Sequence, residues 1–162
     1  MKRHRRTGVL VDTGLLLVYV VGLYDYATGY KVTNDSKYTK GNYGPDDSEI
    51  LDLILNEFHL RITTPYVLAE VSNLIKLLPA GADTFCRELL RDTIPVLEEH
   101  YVPANELVEE DAFLIYGVAD TSILKAAEHP YLVLTDDFKL SGYMSSQGMD
   151  VLNFHHIKDV VV

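Results

Sequence analysis

Apolar positions along this chain follow two rhythms. Residues 8–11 and 131–134 are short unbroken apolar runs that each lead into an acid, and such runs predict strands buried on both faces of a parallel sheet. Helical spacing dominates elsewhere. Residues 14–24 predict a helix with Thr13 as its cap. Ile50, Leu51, Ile54, Leu55 and Phe58 mark a second helix over 48–58. A very short strand is expected at 61–63, followed by a helix capped by Thr64, with Pro65 at its first position, running to Leu78. Helices over 82–92, 104–115, 119–127 and 139–147, with strands over 96–102 and 151–154, complete the pattern. Strands alternating with helices imply an α/β fold: three α/β/α layers around a central, mainly parallel sheet.

A span of 162 residues fits one domain, here 8–162, behind a basic tail at 1–7. Residues 26–47, rich in glycine and polar side chains, read as a long loop of the kind that is usually functional or mobile. Apolar residues make up 48% of the chain, which excludes disorder. The single cysteine, Cys86, can form neither an internal disulfide nor a thiolate metal site, and points to a reducing compartment. Lys2, Arg3, Arg5 and Arg6 ahead of an apolar stretch superficially resemble a signal peptide. Asp12 interrupts that stretch, no small-residue cleavage pattern follows Leu23, and the run at 15–21 is far short of the roughly 20 residues that span a bilayer. A cytoplasmic protein without a membrane partner is expected. The tail reads as a solvated terminus, with RNA or an acidic partner as its alternative contact.

The formal charge of −10 argues against a protein that coats nucleic acid through phosphate contacts. It weighs less against a nuclease, whose clustered carboxylates carry negative charge that a metal balances. Asp12 and Asp137 each follow an apolar strand and precede a helix, the position where ligands bind in open parallel sheets. Glu70 lies at the edge of the apolar stripe formed by Val67, Val71, Leu74, Ile75 and Leu78, aimed along the rim of the core. Asp120 falls in the first turn of a helix, where the helix dipole alone accounts for an acid.

In order, the stretches Val-Leu-Val-Asp12-Thr-Gly, Thr-Thr-Pro-Tyr-Val-Leu-Ala-Glu70-Val-Ser-Asn, Tyr-Gly-Val-Ala-Asp120-Thr-Ser-Ile and Leu-Val-Leu-Thr135-Asp136-Asp137 resemble the acidic signature of PIN-domain ribonucleases. The resemblance covers roughly residues 8–154. It implies a parallel sheet flanked by helices, Mg2+- or Mn2+-dependent endonucleolytic hydrolysis of RNA, and a place as the toxin of a toxin–antitoxin pair with an antitoxin protein as partner. Carried over, Asp12, Glu70, Asp120 and Asp137 become the catalytic acids. Asp12, Asp120 and Asp137 are metal ligands, with Asp136 as the alternative fourth acid. The hydroxyls of Thr13 and Thr135 support them. The long loop and the strong acidity depart from compact members of that family.

Residue chemistry agrees with the resemblance. Hard carboxylate oxygens suit Mg2+ and Mn2+, and acids sharing a pocket raise one another's pKa unless a cation compensates. Metal-assisted attack of water on phosphorus then needs no histidine or lysine base. His155 and His156 read as structural or surface residues. Residues 24–43 hold five tyrosines and three lysines. Tyr30, Lys31, Lys37, Tyr38 and Lys40 form a candidate substrate lid, against packing of the tyrosines on the domain or on a homodimer partner. Two readings compete with the nuclease. One is a non-catalytic domain of the same fold serving as a binding or scaffold module. The other is a receiver- or phosphatase-like domain with Asp12 as phosphate acceptor, which leaves Glu70 unexplained and lacks a matching lysine.

Overall fold

The computed structural model describes residues 7–39, Tyr43 and 46–161. The basic residues at 2–6 and Lys40 lie outside them. Among the described residues the strands are β1 (Val9–Val11), β2 (Arg61–Thr63), β3 (Glu98–Glu99), β4 (Leu132–Thr135) and β5 (Val151–Asn153). They form one sheet in the order β3-β2-β1-β4-β5, and every neighbouring pair is parallel. From β1 the chain steps to β2 and then β3 at one edge. It returns across β1 to β4 and continues to β5 at the other. Crossovers that run in opposite directions from β1 place helices on both faces, giving the α/β/α layering expected from the alternating pattern. The same topology leaves a crevice between the carboxyl ends of β1 and β4, where the direction of winding reverses.

The central strand β1 is entirely buried, as its Val-Leu-Val run requires. Helix α1 (Thr13–Thr28) buries Leu15, Leu16, Leu17, Val18, Val20 and Val21, so it is apolar on nearly all sides. Such a helix must be covered all round. Helices α3 (Asp47–Asn56), α4 (Pro65–Ile75) and α5 (Ala82–Thr93) pack against it. Each buried leucine or valine contributes about 1.5–3 kcal/mol. No helix among the described residues is long and apolar enough to cross a membrane.

Several expectations change. Helix α1 starts at Thr13 and extends to Thr28, because Tyr24 still packs in the core against Phe85. Asp12, not Thr13, occupies the N-cap position. The long loop contains a short helix, α2 (Ser36–Thr39). It is tied to the end of α1 by Asp25, which accepts hydrogen bonds from the backbone of Val32 and Thr33 at 2.9 and 2.8 Å. Helix α4 ends at Ile75, before Leu78. The strand expected over 96–102 shrinks to β3, with a 3-10 turn at Ile94–Val96 before it. The helix expected over 104–115 is broken. Helix α6 (Ala104–Leu107) stops where Glu109, Glu110 and Asp111 crowd negative charge at its carbonyl end. A helical turn then begins at Phe113, and after a break at Gly117 the helix expected from Ala119 follows; the two together are α7 (Phe113–Ala126). Beyond α8 (Phe138–Ser146) and β5, Phe154 opens a ninth helix, α9 (Phe154–Val161), instead of ending a strand. Asn153 caps it by accepting the His155 N–H at 3.0 Å.

Candidate active site

Register builds the first wall of the crevice. Val11 pairs with Leu134, and the Asp12 N–H donates to the Leu134 carbonyl at 3.0 Å. This sets Asp12 beside Thr135. The Thr135 hydroxyl donates to Oδ2 of Asp12, whose carboxylate is 5% exposed. Thr135 also accepts the Asp137 N–H at 3.0 Å, so one buried hydroxyl orients both strand ends.

The two acids after β4 then diverge. Asp137 caps α8: its Oδ1 accepts from the backbone of Lys139 and Leu140 at 2.6 and 3.0 Å. Asp136 turns toward β1, and its Oδ2 accepts the Tyr43 hydroxyl. A Cβ on Gly14 would lie 2.8 Å from Oδ1 of Asp136. Glycine at 14 therefore lets this carboxylate approach the start of α1.

Helices supply the second wall. Thr64 caps α4 by accepting the Val67 N–H at 3.3 Å. Its hydroxyl lies 2.7 Å from that of Ser122, whose own proton goes to the Ala119 carbonyl at 2.6 Å. Each hydroxyl carries one proton, so Thr64 is the donor to Ser122. This buried link fastens α7 to the start of α4. Gly117 interrupts α7 with φ 79° and ψ −175°, a conformation open essentially to glycine alone. The break starts a fresh helical segment with Asp120 in its first turn. Across from it, Glu70 accepts the Thr13 hydroxyl at 3.2 Å.

The acids act on one another. Burial, with the charges of Asp136 and Asp120, pushes Asp12 up to about 7, against the opposing hydrogen bonds from Thr135 and the Thr13 backbone. Burial, followed by the charges of Asp137, Glu70 and Asp136, pushes Asp120 up to about 6. Burial and the charge of Asp136 likewise push the Tyr43 hydroxyl well above its ordinary value.

All five acids, Asp12, Glu70, Asp120, Asp136 and Asp137, line one cleft of about 370 Å³, together with Thr13, Thr39 and His155. Its donor set is oxygen-rich and carries uncompensated negative charge, which fits a hard divalent cation. Among the described residues, no three His, Cys, Asp or Glu side chains are gathered into a ready-made cage. Mg2+ does not need one, since it usually keeps several waters and takes one or two carboxylates plus substrate phosphate.

Both threonines bond to acids, though Thr13 does so through its side chain rather than as a helix cap. Asp136 and Asp137 both reach the cleft: Asp136 on the β1 side, and Asp137 nearer Asp120 with one oxygen engaged as a cap. From the long loop the cleft takes Thr39, not Tyr30, Lys31, Lys37 or Tyr38. Tyr30 stacks on Tyr24 and, with Lys31, lines a separate hollow. Lys37 sits over the ring of Tyr38, which packs on the core.

Two contributors escaped the sequence pattern. Tyr43 is buried in a glycine-flanked loop with no periodicity to mark it. His155 stacks between Tyr43 and Phe138 at the cleft wall. Its signal was Asn153, an N-cap residue directly after an apolar run, which marks a helix start over the cleft. Comparison with known proteins gives no family model that matches the chain and no significant match among curated proteins.

Proposed function

We propose that this protein is a metal-dependent endoribonuclease of the PIN type. The observation that carries the reading is the convergence of five carboxylates on one cleft at the winding reversal of the sheet. A domain that only bound or scaffolded would gain nothing from gathering mutually repelling acids in one cleft. A phosphate accepted by Asp12 would meet the charges of Asp136 and Asp120. RNA as substrate, and an antitoxin as partner, come from the sequence resemblance.

A bound Mg2+ or Mn2+ supplies the positive charge and Lewis acidity that phosphodiester hydrolysis needs at neutral pH. Asp12, Asp120 and Asp136, with the free oxygen of Asp137, are the residues that would hold it. Thr135 fixes the orientation of the Asp12 carboxylate, and Thr13 that of Glu70. Glu70, on the helical wall, faces the groove where an RNA backbone would enter and is placed to accept a proton from the attacking water.

The test incubates purified protein with single-stranded RNA and Mn2+ or Mg2+. Cleavage that requires the metal and disappears in Asp12→Asn is the expected result. Equal cleavage by both proteins, or none by either, contradicts the reading.

A further inference from the structure

We propose that His100 and His129 form a second cation site, separate from the acidic cleft, which takes a borderline divalent ion such as Zn2+ and fastens the end of α7 to the edge strand β3. The site stands independently of the nuclease reading.

Two distant stretches of chain bring the rings together. His100 directly follows β3, and its N–H donates to the Thr63 carbonyl at 2.8 Å, which continues the pairing of β3 with β2. His129 lies just beyond α7, where its N–H donates to the Ala126 carbonyl at 3.1 Å. The two imidazoles meet with ring centres 4.7 Å apart and planes inclined at 62°. Tyr131 backs both. Its ring stacks on His129 at 5.7 Å and meets His100 edge-on at 6.1 Å. The Tyr131 N–H also donates to the His129 carbonyl at 2.7 Å, which closes the turn.

The spacing suits one shared ion. Zn2+ takes imidazole nitrogen at about 2.0–2.1 Å, and a near-tetrahedral angle between two such bonds sets the ring centres about 5 Å apart. Among the described residues neither ring is engaged by a hydrogen bond or an ion pair. His129 is exposed and His100 half-buried, so an ion can enter from solvent. Burial, followed by the charge of His129, holds His100 below its usual range against the pull of Glu98, which favours the neutral imidazole that binds metal. Glu98, two residues back on the same face of the strand, adds negative charge beside the rings.

Among the described residues no third His, Cys, Asp or Glu completes a cage with this pair, so water fills the remaining positions and the ion stays exchangeable. Imidazole donors select Zn2+, Cu2+ and Ni2+, whereas the carboxylates of the cleft select Mg2+ and Mn2+. Neither histidine lines that cleft. Strand β3 has only 2 residues and sits at the sheet edge, so a bridge at its end adds support where backbone pairing is sparse.

The experiment titrates Zn2+ into the full chain in excess Mg2+, which keeps oxygen sites filled. Histidine ring nitrogens are followed by NMR, with thermal melts in parallel. Zn2+ is expected to shift the ring nitrogens of His100 and His129 together and to raise the melting midpoint; Mg2+ alone moves neither ring. His129→Ala alters an exposed position, and His100→Phe keeps an aromatic ring in the packing. Each is expected to melt near wild type without Zn2+, to lose the Zn2+-induced rise, and to bind Zn2+ about tenfold or more weakly.

Zn2+ that shifts neither ring, or only one of them, overturns the shared site. An equal rise in midpoint for wild type and both variants overturns it too, and leaves the rings as packing alone. So does a Zn2+ response that His129→Ala loses and His100→Phe keeps.

Discussion

The two walls of the acidic cleft are built differently. On the sheet side, Asp12 and Asp136 follow strand ends whose register is fixed by backbone pairing, and each carboxylate receives a buried or half-buried hydroxyl, from Thr135 or Tyr43. On the helix side, Glu70 and Asp120 ride on α4 and α7. A buried hydroxyl link, Thr64 to Ser122, joins these helices where they pack together, and the break at Gly117 sets where the segment bearing Asp120 starts. The sheet wall holds its carboxylates by backbone register and hydroxyl contacts, which suits a site that grips a cation. The helix wall opens onto the groove, which suits the groups that meet substrate.

Substituting one acid from each wall breaks this contrast most severely. Asp12→Asn is expected to lower metal-dependent RNA cleavage by on the order of 10³-fold and to remove Mn2+ binding. Glu70→Gln is expected to keep Mn2+ affinity within about tenfold and to lose its activity in turnover. Calorimetry beside a cleavage assay separates these outcomes; a Glu70→Gln protein that no longer binds Mn2+ would merge the two walls into one.

Acidity gives the next largest effect. Asp12 has a folded-state pKa near 7 against an ordinary value near 4, so the unfolded chain loses its proton first as pH rises. The metal-free protein should therefore lose stability between about pH 4 and pH 7, by on the order of 3–4 kcal/mol for Asp12. Asp120 acts in the same direction, up to about 6. Thermal melts across that range should fall with rising pH, and saturating Mn2+ should restore the midpoint at pH 7. A midpoint that rises monotonically over the range would show that the acids do not strain the fold.

Thr135→Val should weaken Mn2+ affinity about 10- to 100-fold while the fold persists, as expected for a group that orients a ligand. Gly117→Ala should cost about 1–3 kcal/mol in chemical denaturation, through strain at the positive φ, and should shift activity more than Mn2+ affinity, because it moves the helix wall alone. The smallest effect belongs to Gly14→Ala. Helix propensity favours it by about 1 kcal/mol, yet its Cβ displaces the Asp136 carboxylate. Unchanged or raised stability with weakened Mn2+ binding is the expected pair of readings.

These differences also explain what was legible in the sequence. The sheet wall follows from local rules: an apolar run ending in acid predicts both the strand and the position of its aspartate, at Asp12 and again at Asp136 and Asp137. Choosing between the last two was beyond those rules, because it depends on which carboxylate caps α8 and which one Gly14 and Tyr43 admit. The helix wall was legible only in outline. Glu70 sits at the stripe edge as its periodicity implies. The split of the segment over 104–115 falls at the acids after α6, which a scan of apolar spacing does not weigh. His155 reaches the cleft, and Tyr43 reaches Asp136 behind it, through tertiary packing alone, on a helix entered directly from β5 and on a loop.

Most directly, the account is tested by titrating Mn2+ into the RNA-free protein by calorimetry at neutral pH, in buffers of different ionisation enthalpy. Wild type should bind Mn2+ and release protons as it does, because a cation favours the charged form of Asp12, whose pKa is raised to about 7, and Asp12→Asn should not bind. Absence of binding in wild type, or equal binding by Asp12→Asn, would contradict a cation site built on these acids.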